Sequence, residues 1–153
     1  MKKVSHFSIF VLSLACLSVI ISCTPESCLE KTESFLDASF YIGDTATPPD
    51  SLTIFGAGRD TSKIYSSKAA VKIANLPLDP QTGSSVFVIK INGTTDTLSF
   101  SYYSYPHLIS RECGYTYYHN IEPPVFTMHI IDSIRVINKV ITPKDEENIR
   151  IYY

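Results

Sequence analysis

From Ser34 onward the chain alternates apolar and polar residues with a period of two, the signature of half-buried strands. Leu36, Ala38, Phe40 and Ile42 mark a first strand, broken at Gly43-Asp44 and Pro48-Pro49-Asp50. Ser51 to Phe55 predicts a second, ended by Gly56-Ala57-Gly58. Lys63 to Tyr65 adds a stub, and Ala70 to Asn75 comes next with Val71 and Ile73 on one face. Leu76-Pro77-Leu78-Asp79-Pro80 is expected to lie outside any central strand, because proline lacks the N–H the ladder needs.

Ser85 to Ile91 is nearly continuous in apolar residues, which predicts a strand buried on both faces. Asn92-Gly93 is the strongest turn signal in the chain, since both residues tolerate positive φ. Asp96 to Tyr103 returns from it, with Leu98, Phe100 and Tyr102 alternating against Thr97, Ser99 and Ser101. Ser104 to Gly114, which carries Pro106, reads as irregular. Tyr115 to Ile121, Val125 to Ile131 and Ile134 to Ile141 predict three more strands, the last two separated by a bend at Asp132-Ser133. Pro143 to Glu147 is a polar turn, and Asn148 to Tyr153 places Ile149, Ile151 and Tyr153 on one face. No long window shows the i, i+3, i+4 spacing of an amphipathic helix. The expected fold is all-β, an antiparallel β-sandwich of immunoglobulin-like architecture, with a small β-barrel as the alternative. The tryptophan of true immunoglobulin domains is absent.

The first residues have a different pattern. Lys2 and Lys3 precede an apolar run from Phe7 to Ile21, the layout of a secretory leader. The run is shorter than the roughly 20 residues a membrane span needs, and no basic stop-transfer signal comes after it. It closes on Ile20-Ile21-Ser22-Cys23, which has the form of a bacterial lipobox: aliphatic residues, a small residue, then a cysteine that takes lipid and becomes the new N-terminus. Cleavage near Ala15, or lipidation of Cys16, are the alternatives. The expected organisation is a signal peptide over 1–22, a short lipidated tether over 23–28, and one β-sandwich domain over 29–153. Two acyl chains anchor a protein stably where one does not, so the expected location is the cell envelope, on the periplasmic or surface face of an outer membrane.

Removing the leader takes away two lysines and no acid, moving the formal charge from −2 to −4. An acidic chain without a basic face argues against a nucleic-acid partner. Of four cysteines, Cys16 leaves with the leader and Cys23 carries lipid. Cys28 and Cys113 remain, in a compartment that favours a disulfide; a reactive thiol or metal ligand is the alternative, without CxxC or paired-histidine support.

Cys28-Leu29-Glu30, Leu76-Pro77-Leu78, Ser110-Arg111-Glu112-Cys113-Gly114 and Asn148-Ile149-Arg150-Ile151-Tyr152 are spread over most of the mature chain. Through them the chain resembles a group of small Bacteroidetes lipoproteins built on a domain of unknown function. The resemblance implies an envelope location and a single β domain, and brings no catalytic residues with it. Four Asp-Ser/Thr steps also resemble the O-glycosylation acceptor of Bacteroidetes envelopes. Thr45 and Ser51 are the two expected to be exposed, while Thr97 and Ser133 fall in or beside predicted strands. Asn92-Gly93-Thr94 matches the N-glycosylation pattern but is read as a turn.

Candidate chemistry is sparse. His107, His119 and His129 form no metal-binding motif, a G-x-S-x-G elbow is absent, and no cofactor is implied. The expectation is therefore a non-enzymatic protein serving protein interaction or envelope support. Tyr102, Tyr103, Tyr105, Tyr115 and Tyr117 crowd around the Pro106–Gly114 segment. Tyrosine offers rigid apolar area with a polar tip, so these five are the candidate surface for a glycan, a small ligand or an envelope protein. Tyrosine is also a good strand former, and simple half-burial is the competing explanation.

Overall fold

In the computed structural model, residues 27–153 are described; the leader and Cys23 lie outside them. The described chain forms strands β1 (Phe35–Ile42), β2 (Thr45–Ala46), β3 (Leu52–Gly56), β4 (Lys63–Lys68), β5 (Ile73–Pro77), β6 (Ser84–Ile91), β7 (Thr94–Ser110), β8 (Gly114–Ile121), β9 (Val125–Phe126), β10 (Ser133–Val136), β11 (Val140–Ile141) and β12 (Ile149–Tyr152), with no helix among them. They make a two-sheet β-sandwich. The smaller sheet runs β10-β12-β1, with β5 and then β2 along the far side of β1. The larger runs β11-β8-β7-β6-β3-β4, with β9 continuing the line of β8 beside β7. All pairings are antiparallel except that of β1 with β12, which joins the two ends of the domain in parallel.

β1 alternates in sequence, yet Leu36, Asp37, Ala38, Ser39 and Phe40 are all buried. Leu36, Ala38 and Phe40 enter the core. Asp37 is buried too, and its polar groups are met by neighbours. Its N–H donates to Asn148 Oδ1 at 2.8 Å, the Asn148 N–H donates back to the Asp37 carbonyl at 3.0 Å, and Asn75 Nδ2 donates to Asp37 Oδ1 at 2.6 Å. Burial raises the Asp37 pKa, with the Asn75 hydrogen bond opposing it.

The core is made by the facing sides of the two sheets. Ala74, Leu76, Ile149 and Ile151 join the β1 residues against Leu52, Ile54, Phe87, Ile89, Ile91, Leu98, Phe100 and Ile121. Each such large side chain contributes about 1.5–3 kcal/mol when removed from water. Phe87 and Phe100 meet edge to face at 6.1 Å, as do Phe40 and Tyr153 at 6.3 Å.

Several elements differ from the sequence pattern for identifiable reasons. β5 starts at Ile73 and runs through Pro77, with Ala74 and Leu76 inward and Ile73 exposed. The proline is tolerated because β5 pairs only with β1 and Pro77 is its last residue. β6 buries Phe87, Ile89 and Ile91 but leaves Val86 exposed, so it is covered on one face. Asn92 and Gly93 form the tight turn, with φ of 48° and 98°. β7 does not stop at Tyr103. Residues 104–110, expected to be irregular, continue the strand, and Pro106 sits where β7 has lost its β6 neighbour.

Val125–Ile131 forms a strand only at Val125 and Phe126. The next five residues are organised by Asp96, whose side chain is completely buried. Its carboxylate accepts hydrogen bonds from Thr127 Oγ1 at 2.5 Å, His129 Nδ1 at 2.8 Å, and the backbone N–H groups of His129, Ile130 and Ile131 at 2.8–3.2 Å. Three successive backbone donors cannot converge on one carboxylate from an extended strand, so the chain turns. Burial alone would raise the Asp96 pKa. The bonds from Thr127, Ile130, Ile131 and His129 outweigh it and hold the group well below the ordinary carboxylate range.

Asp96→Asn replaces an ionised acceptor with a neutral amide and leaves donors unpaired. It is expected to cost about 2–4 kcal/mol in urea denaturation at pH 7. Because the folded pKa is depressed, the ionised group stabilises the fold above the unfolded carboxylate value near pH 4. That contribution is lost as pH falls below about 4, so the difference between wild type and Asp96→Asn should shrink there.

Candidate functional site

Beyond Tyr102, β7 and β8 run on past β6, first with β11 paired to His119 and Asn120 of β8 and then as a two-stranded ribbon. Tyr103 pairs with Asn120, Tyr105 with Tyr118, Pro106 with Tyr117, His107 with Thr116 and Leu108 with Tyr115. From Tyr102 to Ser110 this is roughly 26 Å of strand. The five-residue end Ser110–Gly114 closes it, with Gly114 at a φ of 73° and the Cys113 N–H capped by Ser110 Oγ at 3.0 Å.

Alternation puts different residues on the two faces. The outward face carries Tyr103, Tyr105, His107 and Tyr118. Tyr103 stacks on Tyr105 at 6.1 Å, Tyr105 meets Tyr118 at 6.0 Å, and His107 stacks on Tyr118 at 4.1 Å. The other face continues the line of Phe100, Tyr102 and Ile121, which in the sandwich point to the core. Past the sandwich this line emerges as Pro106, Leu108, Tyr115 and Tyr117, all exposed; Tyr115 is 72% exposed and Leu108 48%.

The five candidate tyrosines are thus not one surface. Tyr103 and Tyr105 lie on the outward face, and Tyr115 and Tyr117 on the inward one. Tyr102 is buried, with its hydroxyl donating to the Asp79 carbonyl at 2.8 Å and sharing a hydrogen bond with Ser85 Oγ, so it drops out of the exposed set. His107, Leu108 and Tyr118 complete the ribbon. Pro106 hides His107 and Leu108 in the sequence by imitating a strand break, although the alternation of Tyr103, Tyr105 and His107 continues across it, while Tyr118 already falls in the expected Tyr115–Ile121 strand.

The chain before β1 runs along the free edge of β8. Ser34 Oγ donates to the Tyr117 carbonyl at 2.8 Å, Thr116 Oγ1 donates to the Thr32 carbonyl, and the disulfide Cys28–Cys113 closes the path at the ribbon end. Lys31 pairs with Asp145 at 2.5 Å in solvent, a contact worth at most about 1 kcal/mol. Leu29, next to the disulfide, is 92% exposed.

Other polar groups form smaller constellations. A cleft of about 500 Å³ lies between the 30–33 segment and the 142–145 loop, with Phe35, Asp37 and Asn75 at its floor. Ser104 Oγ and His119 Nδ1 are 2.8 Å apart; burial lowers the His119 pKa and favours the neutral ring. No carboxylate bonds to His119 among the described residues, so this pair lacks the orienting acid of a hydrolase triad. Asp96 and His129 supply acid and imidazole, but the carboxylate is taken up by the backbone turn. On the outer face of the smaller sheet, Arg150 reaches Glu147 at 2.7 Å and lies 4.9 Å over the Tyr41 ring. Among the described residues no group of three His, Cys, Asp or Glu side chains is placed to hold a metal ion. Of the two candidate acceptors, Thr45 is exposed in β2 and Ser51 is half-buried; Ser133 is exposed on the β10 edge and Thr97 half-buried.

The family pattern that matches this chain covers residues 51–153, from β3 to the C-terminal strand. The chain belongs to the family of unknown function DUF6452. No curated protein and no solved structure matches it. The DUF6452 match leaves out β1, the strand that β12 and β5 both need as a neighbour.

A fragment of residues 51–153 should therefore fail to give a cooperative thermal transition, because Ile149, Ile151, Ala74 and Leu76 lose the strand that covers them. Replacing Cys28 and Cys113 with Ser opens a loop of 85 residues, for which the chain-entropy treatment gives about 4–5 kcal/mol and practice often less. The loss should appear in urea denaturation of the double variant, and non-reducing peptide mapping of the wild type should recover the 28–113 linked pair.

Proposed function

We propose that this protein is a non-enzymatic, lipid-anchored component of the cell envelope, holding a β-sandwich close to a membrane to engage another envelope component. The leader and Ile20-Ile21-Ser22-Cys23 motivate the anchor, and the resemblance to small Bacteroidetes lipoproteins motivates an outer-membrane location on its periplasmic or surface face. The observation that carries the reading is the position of Cys28. It is bonded to the ribbon end and lies only five residue steps from Cys23, a reach of about 17 Å when fully extended. A lipid on Cys23 would hold that end of the domain near the bilayer.

A second reading, a glycan- or small-ligand-binding module, draws on the exposed Tyr103 ring, backed by the half-buried Tyr105 it stacks on, as an apolar face suited to stacking on a sugar. Alanine at both positions should abolish binding to any glycan the wild type retains, with the fold unchanged by circular dichroism.

The anchor is tested in cells fed labelled palmitate. Cys23→Ala should lose the label and move from the membrane pellet to the soluble fraction. Persistence of both label and membrane retention overturns the proposal.

A further inference from the structure

The ribbon end presents an apolar surface that the sandwich does not use. Leu108, Tyr115 and Tyr117 are exposed on the inward face, joined by Leu29 beside the disulfide. The outward face carries the Tyr103–Tyr105–Tyr118–His107 ladder. The outward face is partly covered, with Tyr105 and Tyr118 half-buried and Tyr118 beside the 143–145 loop, whereas Leu108, Tyr115 and Tyr117 of the inward face are exposed. Arg111 and Glu112 at the ribbon end are one of each sign, so charge gives it no preference for a polyanion or a polycation.

Four features select the occupant. The chain that leads back to Cys23 leaves from this end and from nowhere else on the domain, because Cys28 is bonded to Cys113. Leu108 lies two residues and Tyr115 one residue from the Ser110–Gly114 end that carries this bond, within about 7 Å along the strand. The free edge of β7 is interrupted by Pro106, which disfavours a partner that adds a strand there. Tyrosines are enriched at the membrane–water boundary, where an apolar ring with a polar tip suits both environments.

We infer that the β7–β8 ribbon docks end-on into the headgroup region of the bilayer that holds the lipid, with Leu29, Leu108, Tyr115 and Tyr117 as its contact residues. The inference rests on lipidation at Cys23 as proposed above. It adds that the domain stands in a fixed orientation, ribbon toward the membrane and the Asn92-Gly93 hairpin end of β7 away from it.

The chain contains no tryptophan, so single tryptophans report position without background. Tyr115→Trp and, as a control, Val125→Trp would be made in the full lipidated protein and reconstituted into phosphatidylcholine vesicles containing brominated lipid. Both sites are exposed, and Val125 pairs with Ser99, about 30 Å along β7 from Leu108. At least twofold quenching of the tryptophan at 115, with the one at 125 little affected, is the expected result. Vesicle flotation with neither residue quenched overturns the docking while leaving the anchor intact, and returns the ribbon to a glycan or protein partner. Equal quenching of both overturns the orientation. Failure of the protein to float, or to take up palmitate, removes the anchor and the docking with it.

Discussion

The position of β1 governs the rest of the molecule. It is the first strand, yet it lies between the last strand and β5, so the smaller sheet exists only once both ends of the chain have met. Its five consecutive buried residues leave no room for an exposed face, and the polar Asp37 is tolerated because Asn148 and Asn75 arrive from distant parts of the sequence. With Phe35 fixed there, the preceding residues have one route already supplied with hydrogen-bond partners, along the edge of β8. The chain therefore enters the domain at the end of a protruding ribbon, well away from the core it helps to build. Contacts this distant in sequence are costly to form, which favours late closure of the smaller sheet during folding.

Asp96 is the second constraint, and it exchanges regularity for polar satisfaction. An inward-facing carboxylate in a β-sandwich must be hydrogen-bonded or neutralised. Here the chain gives up strand pairing from Thr127 to Ile131 and turns the N–H groups of His129, Ile130 and Ile131 onto the acid. Ile131 is buried in the process, so the turn also adds to the core. The His129 ring, two-thirds exposed, lies over the rim of this nest and completes it.

What was legible in the sequence was local. Asn92-Gly93 announced its hairpin because the backbone conformation needed there is one those residues prefer. Leu98, Phe100 and Tyr102 announced an inward face by alternation, and Ile149 and Ile151 did the same at the other end. The failures all involve a neighbour absent from the local pattern. Proline breaks a central strand, but Pro106 is acceptable on an open edge, and nothing in the sequence states where β6 stops. Pro77, by contrast, ends an edge strand, in keeping with its expected exclusion from a central one. Val125–Ile131 has the composition of a strand and is diverted by an acid some thirty residues earlier. The tyrosine cluster was visible as composition, but its division into two faces, and the burial of Tyr102, depended on the register with β8.

The disulfide has a geometric consequence that exceeds its contribution to stability. Without it, the 28–34 segment would be held to the body by Ser34, Thr116 and the solvent-exposed Lys31–Asp145 pair, contacts of about 1 kcal/mol each. Such a segment can peel away, and the span from Cys23 to the first fixed residue would grow from five residues to eleven, from about 17 Å to about 37 Å. At the longer reach a domain tumbles freely above its anchor, and the exposed ribbon residues would meet the bilayer only as often as any other face. At the shorter reach the proposed tether would constrain which end faces the lipid, so the proposed burial of Leu108, Tyr115 and Tyr117 would cost little further orientational entropy. With the lipid proposed on Cys23, the bond and the aromatic ribbon would act together: the first would confine the domain to a shallow layer, and the second would set which way up it stands there.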